Sequence, residues 1–457
     1  MQRDPLPRPA AISLDEYRDR RVRLMAALPD NAAVLIPAAT LKPRNRDGEY
    51  PFRQDSDFHY LSGFPEPDAL LLLLPGRAEG ETVLFCQPKD PLAEAWTGIR
   101  IGAEGAVVRF GVDEAHDNDV RDELLVELLD GRETLCFALD DEEALMIASD
   151  VRGALKARVR RGAKPPRSFT DITSVLHEQR LIKSEAELEL MRHAGYISAL
   201  AHRRAMQASR PGLCEYHLQA EIEHEFVWHG ARSPAYGTIV GSGVNACVLH
   251  YVENNDRLDE GDLVLIDAGG EFDLYAGDIT RTFPVNGRFS AAQRQLYQIV
   301  LNAQKRAVAA VGPGNTLSAI HDGVVRDLTQ GLIELGLLAG DVQACIDDSS
   351  YRRFYLHSTS HWLGLDTHDV GDYKQDDVPR PLVPGMVVTI EPGLYIPDAD
   401  DIPAAFRGIG IRIEDDVIVT VDGGEVTTGA VPKEMDDIEA LMAASRSSDH
   451  GESVIDG

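Results

Sequence analysis

The sequence lacks long apolar runs and has few positive charges. Hydrophobic residues make up 44% of the 457 residues, yet no window approaches the ~18 uninterrupted apolar residues of a membrane-spanning helix. The N-terminus also lacks the apolar segment of a secretory signal. Lys and Arg total 45 against 75 Asp and Glu, a formal net charge of -30. Because such a surface repels nucleic acid and anionic lipid, we expect neither a membrane protein nor a nucleic-acid-binding protein.

Cysteine is also scarce, and its placement excludes two kinds of site. The five cysteines are scattered, and none belongs to a CxxC pair: Cys86, Cys136, Cys214, Cys247 and Cys345. An odd, dispersed set of this kind indicates neither a disulfide framework nor a thiolate zinc site. A reducing compartment suits such a chain, so we expect the protein in the cytoplasm.

The length of the chain favours two domains. A basic, proline-containing stretch from Lys156 to Ser168 differs from the acidic background and marks the expected boundary. Residues 1–170 alternate short apolar strands with helical segments, which predicts an α/β domain. Residues 171–445 combine long helices with runs rich in Val, Ile and Gly, which predicts an α+β domain. Residues 446–457 are small and polar, and we expect a disordered tail.

Two acids stand out in the segment Val264–Arg281, which reads VLIDAGGEFDLYAGDITR. Asp267 and Asp278 each follow an apolar run, although strand interiors disfavour Asp and a buried carboxylate is costly unless a charge compensates it. A hairpin turn centred near Phe272 and Asp273 would place the two acids opposite each other, roughly 5 Å apart. Either acid alone is typical of a turn or a cap. As a facing pair, they favour a cation between them.

Further acids and histidines follow the same pattern downstream. Glu391 and Glu414 each end an apolar run, and four histidines fall in two segments: His250 in the first, and His357, His361 and His368 in the second. Several carboxylates with an imidazole suit harder divalent ions such as Mn²⁺, with Co²⁺, Fe²⁺ or Zn²⁺ as alternatives. Four carboxylates exceed the charge of one such ion, which favours two metals. A metal pair ~3.5–4 Å apart can hold a hydroxide and polarise a carbonyl.

Four motifs together resemble the metal-ligand signature of the pita-bread metallopeptidases. They read DAGGEFDLYAGDITRTFPVNG, HSTSHWLGLDTHDVG, TIEPGLYI and GIGIRIEDD, and they are most similar to the aminopeptidase P (Xaa-Pro aminopeptidase) type. The segment Glu49–Ala69 is similar to the creatinase-like N-terminal domain of this family. The resemblance implies an α/β creatinase-like domain followed by an α+β pita-bread catalytic domain.

The resemblance also implies roles for particular residues. Two metals, usually Mn²⁺, would be held by five ligands: Asp267, Asp278, His361, Glu391 and Glu414. Glu391 would also move the proton, and three histidines would position the substrate or stabilise the intermediate: His250, His357 and His368. Arg412 matches a catalytic-site arginine near the metal-ligating acids. Three aromatic residues match substrate-site positions: Tyr236, Tyr395 and Trp96. In tetrameric relatives, the residue matching Trp96 reaches the active site of a neighbouring subunit. One departure is Ser358-Thr359, where several relatives have a glycine-containing pair.

The implied activity is the release of the N-terminal residue from peptides whose second residue is proline, by attack of a metal-bridging hydroxide. An Xaa-Pro dipeptidase shares all five ligands and the fold, and it is the nearest alternative. A pita-bread module that binds peptides without catalysis is a second alternative, although its relatives usually lack some of the ligands. By resemblance we expect a homotetramer, or a dimer.

Overall fold

The computed structural model describes residues 6–449, which form two compact units. One unit comprises Ala11–Arg180, and the other comprises residues 6–10 together with the chain from Leu181 onward. Within residues 6–449, the structure contains no helix that is long and apolar enough to cross a membrane.

The N-terminal unit is an α/β domain. Its strands are β1 Ala32–Pro37, β2 Leu70–Leu73, β3 Thr82–Cys86, β4 Glu114–Asp117, β5 Thr134–Phe137 and β6 Ser168–Asp171. Its helices are α1 Leu14–Ala26, α2 Ser56–Ser62, α3 Pro91–Thr97, α4 Gly102–Phe110, α5 Arg121–Leu128, α6 Glu142–Ala157 and α7 Thr173–Leu181. The six strands form one mixed sheet in the order β4-β3-β2-β1-β5-β6. Strands β1, β2, β3 and β5 are buried along their whole length.

The boundary of this unit lies between Arg180 and Leu181 rather than near residue 170. Strand β6 pairs in parallel with β5, so the polypeptide after the basic stretch still belongs to the sheet. Helix α7 is held in the same unit because the buried Arg180 donates to the carboxylate of Asp57 at 2.7 Å. The basic stretch Lys156–Ser168 therefore connects two elements of one domain.

The C-terminal unit is an α+β domain with short, interrupted strands. Its helices are α8 Glu185–Ala208, α9 Glu215–Trp228, α10 Ala291–Ala310, α11 Leu317–Glu334, α12 Val342–Asp347 and α13 Met435–Asp449. Its strands are β7 Ser233–Pro234, β8 Ile239–Ser242, β9 Leu263–Asp267, β10 Gly270–Phe272, β11 Tyr275–Ala276, β12 Thr280–Pro284, β13 Lys374–Gln375, β14 Val378–Pro379, β15 Val387–Ile390, β16 Gly393–Tyr395, β17 Gly410–Arg412, β18 Asp415–Thr420 and β19 Gly423–Val426.

Two long helices of this unit, α8 and α10, begin at capping boxes with a serine N-cap. Ser184 accepts from the backbone N–H of Glu187 at 3.3 Å, and the Glu187 carboxylate accepts from the backbone N–H of Ser184 at 2.9 Å. The same exchange between Ser290 and Gln293 starts α10. These caps satisfy backbone donors that have no partner inside the helix. The helix start predicted at Ser184 is confirmed.

Both ends of the chain differ from the prediction. Residues 6–10 belong to the C-terminal unit, where Arg8 forms an ion pair with Asp273 and stacks on the ring of Phe272. Helix α13 extends to Asp449, four residues into the segment 446–457 that was expected to be a disordered tail. Buried Ile438 and Met442 anchor this helix, and adding residues to an existing helix costs little. The rest of the predicted tail lies outside the described residues.

His202 of α8 is a buried histidine that carries no charge. Its Nε2 lies 2.9 Å from the carbonyl oxygen of Ala268, while its Nδ1 has no hydrogen-bond partner in the described chain. Because a carbonyl only accepts, Nε2 holds the proton and Nδ1 is bare. Burial lowers the pKa of His202 to about 4. A second proton would therefore place an uncompensated charge in the core.

We predict that His202 makes the protein less stable as the pH falls below its ordinary pKa of about 6.5. Between that value and about 4, the unfolded chain takes up a proton at His202 and the folded chain does not. The loss should reach about 2 kcal/mol at a pH of about 5. Unfolding midpoints of the wild type and of His202→Gln, measured at a pH of about 7 and about 5, should show a smaller fall for the variant. Equal falls would contradict the assignment.

Candidate metal centre

Four acids of the C-terminal unit lie where strands are interrupted. Asp267 is the last residue of β9, and Asp278 lies between β11 and β12. Glu391 lies between β15 and β16, and Glu414 lies between β17 and β18. At such breaks a side chain leaves the regular alternation of the strand, as it does at a bulge. All four acids line one cavity of about 1050 Å³.

The pairing of the first two acids differs from the prediction. The hairpin turn is centred on Asp273 and Leu274, which both have positive φ angles of 48° and 70°. Asp267 consequently pairs with Thr280 rather than with Asp278. A turn centre displaced by one residue shifts the cross-strand partner by two, which leaves the side chains on the same face. Asp278 is therefore a diagonal neighbour of Asp267, and the two carboxylates still converge.

Tyr236 joins these two carboxylates. Its hydroxyl lies 2.5 Å from Oδ1 of Asp267 and 2.6 Å from Oδ1 of Asp278. A hydroxyl has one hydrogen to donate, so it cannot satisfy both oxygens at once. Burial and the two carboxylates raise the pKa of Tyr236 well above its usual value. The phenol therefore remains protonated. Because its one hydrogen can serve only one of the two carboxylates at a time, the other carboxylate faces the phenol oxygen without a hydrogen between them.

His361 presents one nitrogen to the carboxylates. Its Nδ1 donates to the carbonyl oxygen of Trp362 at 2.9 Å, which leaves Nε2 aimed at the acids. Nε2 lies 3.4 Å from Oδ2 of Asp278 and 3.7 Å from Oε1 of Glu391. A histidine whose other ring N–H bonds to a carbonyl is typical of a metal ligand. Although burial opposes protonation, the neighbouring acids raise the pKa of His361 to about 9.

The donor set fits divalent cations. Ligand atoms of Asp278, His361 and Glu414 lie within 4.8 Å of one another. Burial and Asp278 raise the pKa of Glu414 well above its usual value, and burial raises the pKa of Glu391 to about 7 even though His361 and Arg412 oppose the shift. Carboxylates crowded in this way hold protons unless positive charge compensates them. Oxygen-rich sites with one imidazole are suited to hard or borderline divalent ions.

Arg412 is the guanidinium of the centre. Its Nη2 lies 2.7 Å from Oδ2 of Asp267, its Nη1 donates to the hydroxyl of Tyr395 at 2.9 Å, and its Nε donates to Oγ1 of Thr280 at 3.1 Å. Thr280 in turn donates to Oε2 of Glu414 at 2.6 Å. Arg412 therefore orients Asp267, and Thr280 orients Glu414.

A second chain of hydrogen bonds leads from Arg412 to His357. Tyr395 accepts from Arg412, so its own proton goes to Nε2 of His357, 2.8 Å away. Nδ1 of His357 donates to the carbonyl oxygen of Ser358 at 2.8 Å. Burial and the charge of Arg412 lower the pKa of His357 to about 4. His357 is therefore neutral and lies 3.6 Å from Oε2 of Glu391.

The remaining sequence-predicted residues occupy different positions. His250 and His368 line the cavity, and the ring of His368 meets His361 edge-on at 4.3 Å. Tyr395 lies behind the cavity lining, bonded to His357 and Arg412. Trp96 is not among the lining residues, and it is 90% exposed on α3 of the N-terminal unit.

Three supporting residues were missed by the sequence reasoning. Thr280 links Glu414 to Arg412, and Asp416 accepts from the backbone N–H of Asp278 at 2.9 Å. Lys183 forms a buried ion pair with Asp369 at 2.7 Å, which fixes the segment after His368. The run IEDD, with acids directly after Glu414, was the available indication for Asp416. Lys183 lies far from the motifs in sequence and offered none.

The fold and this carboxylate-rich centre are those of a metallopeptidase. Residues 189–421 match the model of metallopeptidase family M24, and residues 17–137 match that of the aminopeptidase P N-terminal domain. The chain belongs to metallopeptidase family M24. The predicted resemblance to aminopeptidase P is confirmed, as is the predicted fold class of an α/β creatinase-like domain followed by a pita-bread domain.

Individual relatives match nearly the whole chain. The Xaa-Pro aminopeptidase of Haemophilus influenzae is 47% identical over 433 residues, which cover 95% of this chain and 98% of the relative. The structure of Pseudomonas aeruginosa aminopeptidase PepP superposes with a TM-score of 0.94 at 49% identity, covering 96% of this chain and 99% of the other. Zn-substituted Escherichia coli aminopeptidase P, in complex with product, gives a TM-score of 0.93 at 46% identity, covering 96% and 100%.

We predict that Thr280→Val weakens the binding of divalent cations without removing any of the four acids. Valine keeps the shape of threonine but removes the hydroxyl that orients Glu414 and Arg412. Loss of such an orienting contact typically costs about 10- to 100-fold in metal affinity. Calorimetric titration of the metal-stripped protein with Mn²⁺ measures the loss. Thr280→Ser retains the hydroxyl and should bind as the wild type does; if serine and valine bind equally, the hydroxyl has no such role.

Proposed function

We propose that this chain is a dinuclear-metal Xaa-Pro aminopeptidase, which hydrolyses the bond between the N-terminal residue and a following proline. The observation that carries the proposal is the convergence of four carboxylates and one imidazole on a single cavity. The named relatives, which match nearly end to end, support the substrate class.

The proposed ligands are Asp267, Asp278, His361, Glu391 and Glu414. These five side chains would together hold the two ions. The oxygen-rich donor set favours Mn²⁺, with Co²⁺, Fe²⁺ or Zn²⁺ as alternatives. When bound, two such ions supply a hydroxide nucleophile and polarise the scissile carbonyl.

Glu391 is the proposed proton carrier. Glu391 lines the cavity beside the other acids, and a carboxylate positioned at the reacting atoms can both accept and release a proton. As the new C–O bond forms, Glu391 takes the proton of the nucleophile. It then delivers this proton to the proline nitrogen as the C–N bond breaks. An amide nitrogen leaves readily only when it is protonated, so this transfer lets the C–N bond to proline break.

The histidines and Arg412 have proposed roles around the substrate. His250 and His368 would donate to the oxygen that gains charge in the transition state. Arg412 orients Asp267, beside which the free amine of the substrate would lie. Because an Xaa-Pro bond offers no N–H, the site must recognise the shape of the ring. Neutral His357, backed by Tyr395, is the proposed wall, and Tyr236 would complete the site beside Asp267 and Asp278.

Assembly and location are also proposals. Helix α3 and the turn after it expose Leu92, Trp96 and Ile99 at 81%, 90% and 87%. Exposed apolar groups of this size favour a contact with another subunit. We propose a homotetramer, or a dimer, in which Trp96 contributes to substrate binding. The five cysteines are free, which suits the cytoplasm.

We predict that the metal-reconstituted enzyme cleaves Xaa-Pro-Xaa tripeptides and longer peptides and leaves Xaa-Pro dipeptides intact. The released N-terminal residue can be measured by chromatography, with metal-stripped protein as the control. Cleavage of dipeptides alone would identify the chain as an Xaa-Pro dipeptidase. If added divalent ions neither bind nor restore turnover, the chain is a binding module instead.

Glu391→Gln should reduce kcat by about 10²- to 10⁴-fold, the usual contribution of a positioned acid–base group. Glutamine keeps the size of the side chain but carries no transferable proton. Metal content, measured after reconstitution, separates the loss of proton transfer from the loss of a ligand. A variant that retains wild-type turnover would refute the role of Glu391.

A further inference from the structure

One wall of the cavity comes from outside the recognised motifs. The first turn of α11 contributes Leu317, Ser318 and His321 to the lining. The segment Ser358-Thr359, between His357 and His361, lines the same cavity. The structure joins the two features: Nδ1 of His321 lies 2.9 Å from Oγ1 of Thr359.

The direction of this hydrogen bond follows from a third residue. The hydroxyl of Tyr355 lies 2.7 Å from Oγ1 of Thr359, which is its one hydrogen-bond partner among residues 6–449. Both side chains are buried at 1% exposure. A buried hydroxyl must donate its proton, so Tyr355 donates to Thr359. The proton of Thr359 then goes to Nδ1 of His321, which accepts it.

This relay fixes the tautomer of His321. With Nδ1 as the acceptor, the neutral ring carries its proton on Nε2. Burial lowers the pKa of His321, which favours the neutral form. The Nε2 atom forms no hydrogen bond within the described part of the chain, although the ring lines the cavity. His321 therefore offers an N–H donor to whatever the cavity holds.

The position of the ring relates this donor to the substrate. The centroids of His321 and Tyr355 lie 5.9 Å apart, and those of Tyr355 and His357 lie 5.0 Å apart. The ring of Tyr355 thus contacts both His321 and His357, the proposed proline wall. A peptide that continues past proline presents backbone carbonyl oxygens at each following residue, and these are acceptors.

We propose that His321 is a substrate-binding residue, whose Nε2–H donates to the carbonyl oxygen of the residue after proline. The proposal rests on the peptidase function above. It assigns this chain a preference for peptides of three or more residues that depends on α11 and Thr359 rather than on the metal centre.

The test compares two substrates, Ala-Pro-NH₂ and Ala-Pro-Ala-Ala-NH₂, by the alanine that the holoenzyme releases. His321→Phe keeps a ring but has no N–H, and His321→Gln restores a donor with an acceptor for Thr359. With the longer substrate, His321→Phe should lower kcat/KM by about 3- to 10-fold, the value of one neutral hydrogen bond, through KM. The fall in kcat/KM with Ala-Pro-NH₂ should be smaller. His321→Gln should recover most of the kcat/KM that His321→Phe loses on the longer substrate. Gln330→Ala, at an exposed position of the same helix, is the matched control.

A modified substrate tests the contact without relying on a variant's folding. When a methylene replaces the carbonyl of the third residue, kcat/KM of the wild type should fall by the same factor as the His321→Phe substitution causes. For His321→Phe the modified substrate should cause no further fall, because the N–H that binds this carbonyl is already absent. The proposal is overturned if His321→Phe lowers kcat/KM equally for both substrates. It is also overturned if the losses from His321→Phe and from the carbonyl replacement simply add when the two changes are combined. If the wild type cleaves neither substrate, it is the peptidase function that fails.

Discussion

The mutual repulsion of four carboxylates in one cavity is the constraint on which the site depends. Like charges a few ångströms apart in a poorly solvated cavity interact far more strongly than they would in water. Among the described residues, direct contact with positive charge comes from Arg412 on Asp267 and from protonated His361 on Asp278 and Glu391. This is less than the acids require. The surrounding hydroxyls of Tyr236 and Thr280 orient the acids but do not neutralise them.

The interrupted strands make this concentration of charge compatible with a stable fold. A continuous strand would point alternate residues into the apolar core, whereas a break directs the acid into the cavity. Gly269 shows how tightly the backbone is folded there: an added Cβ would lie 1.6 Å from the carbonyl oxygen of Gly277. Only glycine, which has no Cβ, allows these two backbone segments to approach so closely. The apolar residues before each break, such as Val264 to Ile266, remain fully buried and anchor the acids.

Much of this arrangement could be predicted from local pattern, because an acid after an apolar run is unusual in itself. The four acids were found in this way, and the helix start at Ser184 was found from the local pattern of a capping box. The register between Asp267 and Thr280 was not, because a turn centre off by one residue shifts the pairing and leaves the pattern unchanged. Partners distant in sequence, such as Lys183 with Asp369 or His321 with Thr359, leave no local trace. The predicted domain boundary fell too early in the chain, because strand β6, which follows the basic stretch, still pairs with β5.

The turn at Asp273 and Leu274 has a consequence for how this chain can vary. Partly exposed turns commonly accept insertions and deletions, because little depends on their length. Here the same hairpin sets the positions of Asp267 and Asp278 relative to each other. One added residue would turn Asp278 towards the opposite face of the sheet. The length of this turn is therefore fixed by chemistry that takes place several residues away, and the identities of its residues are freer to change than their number.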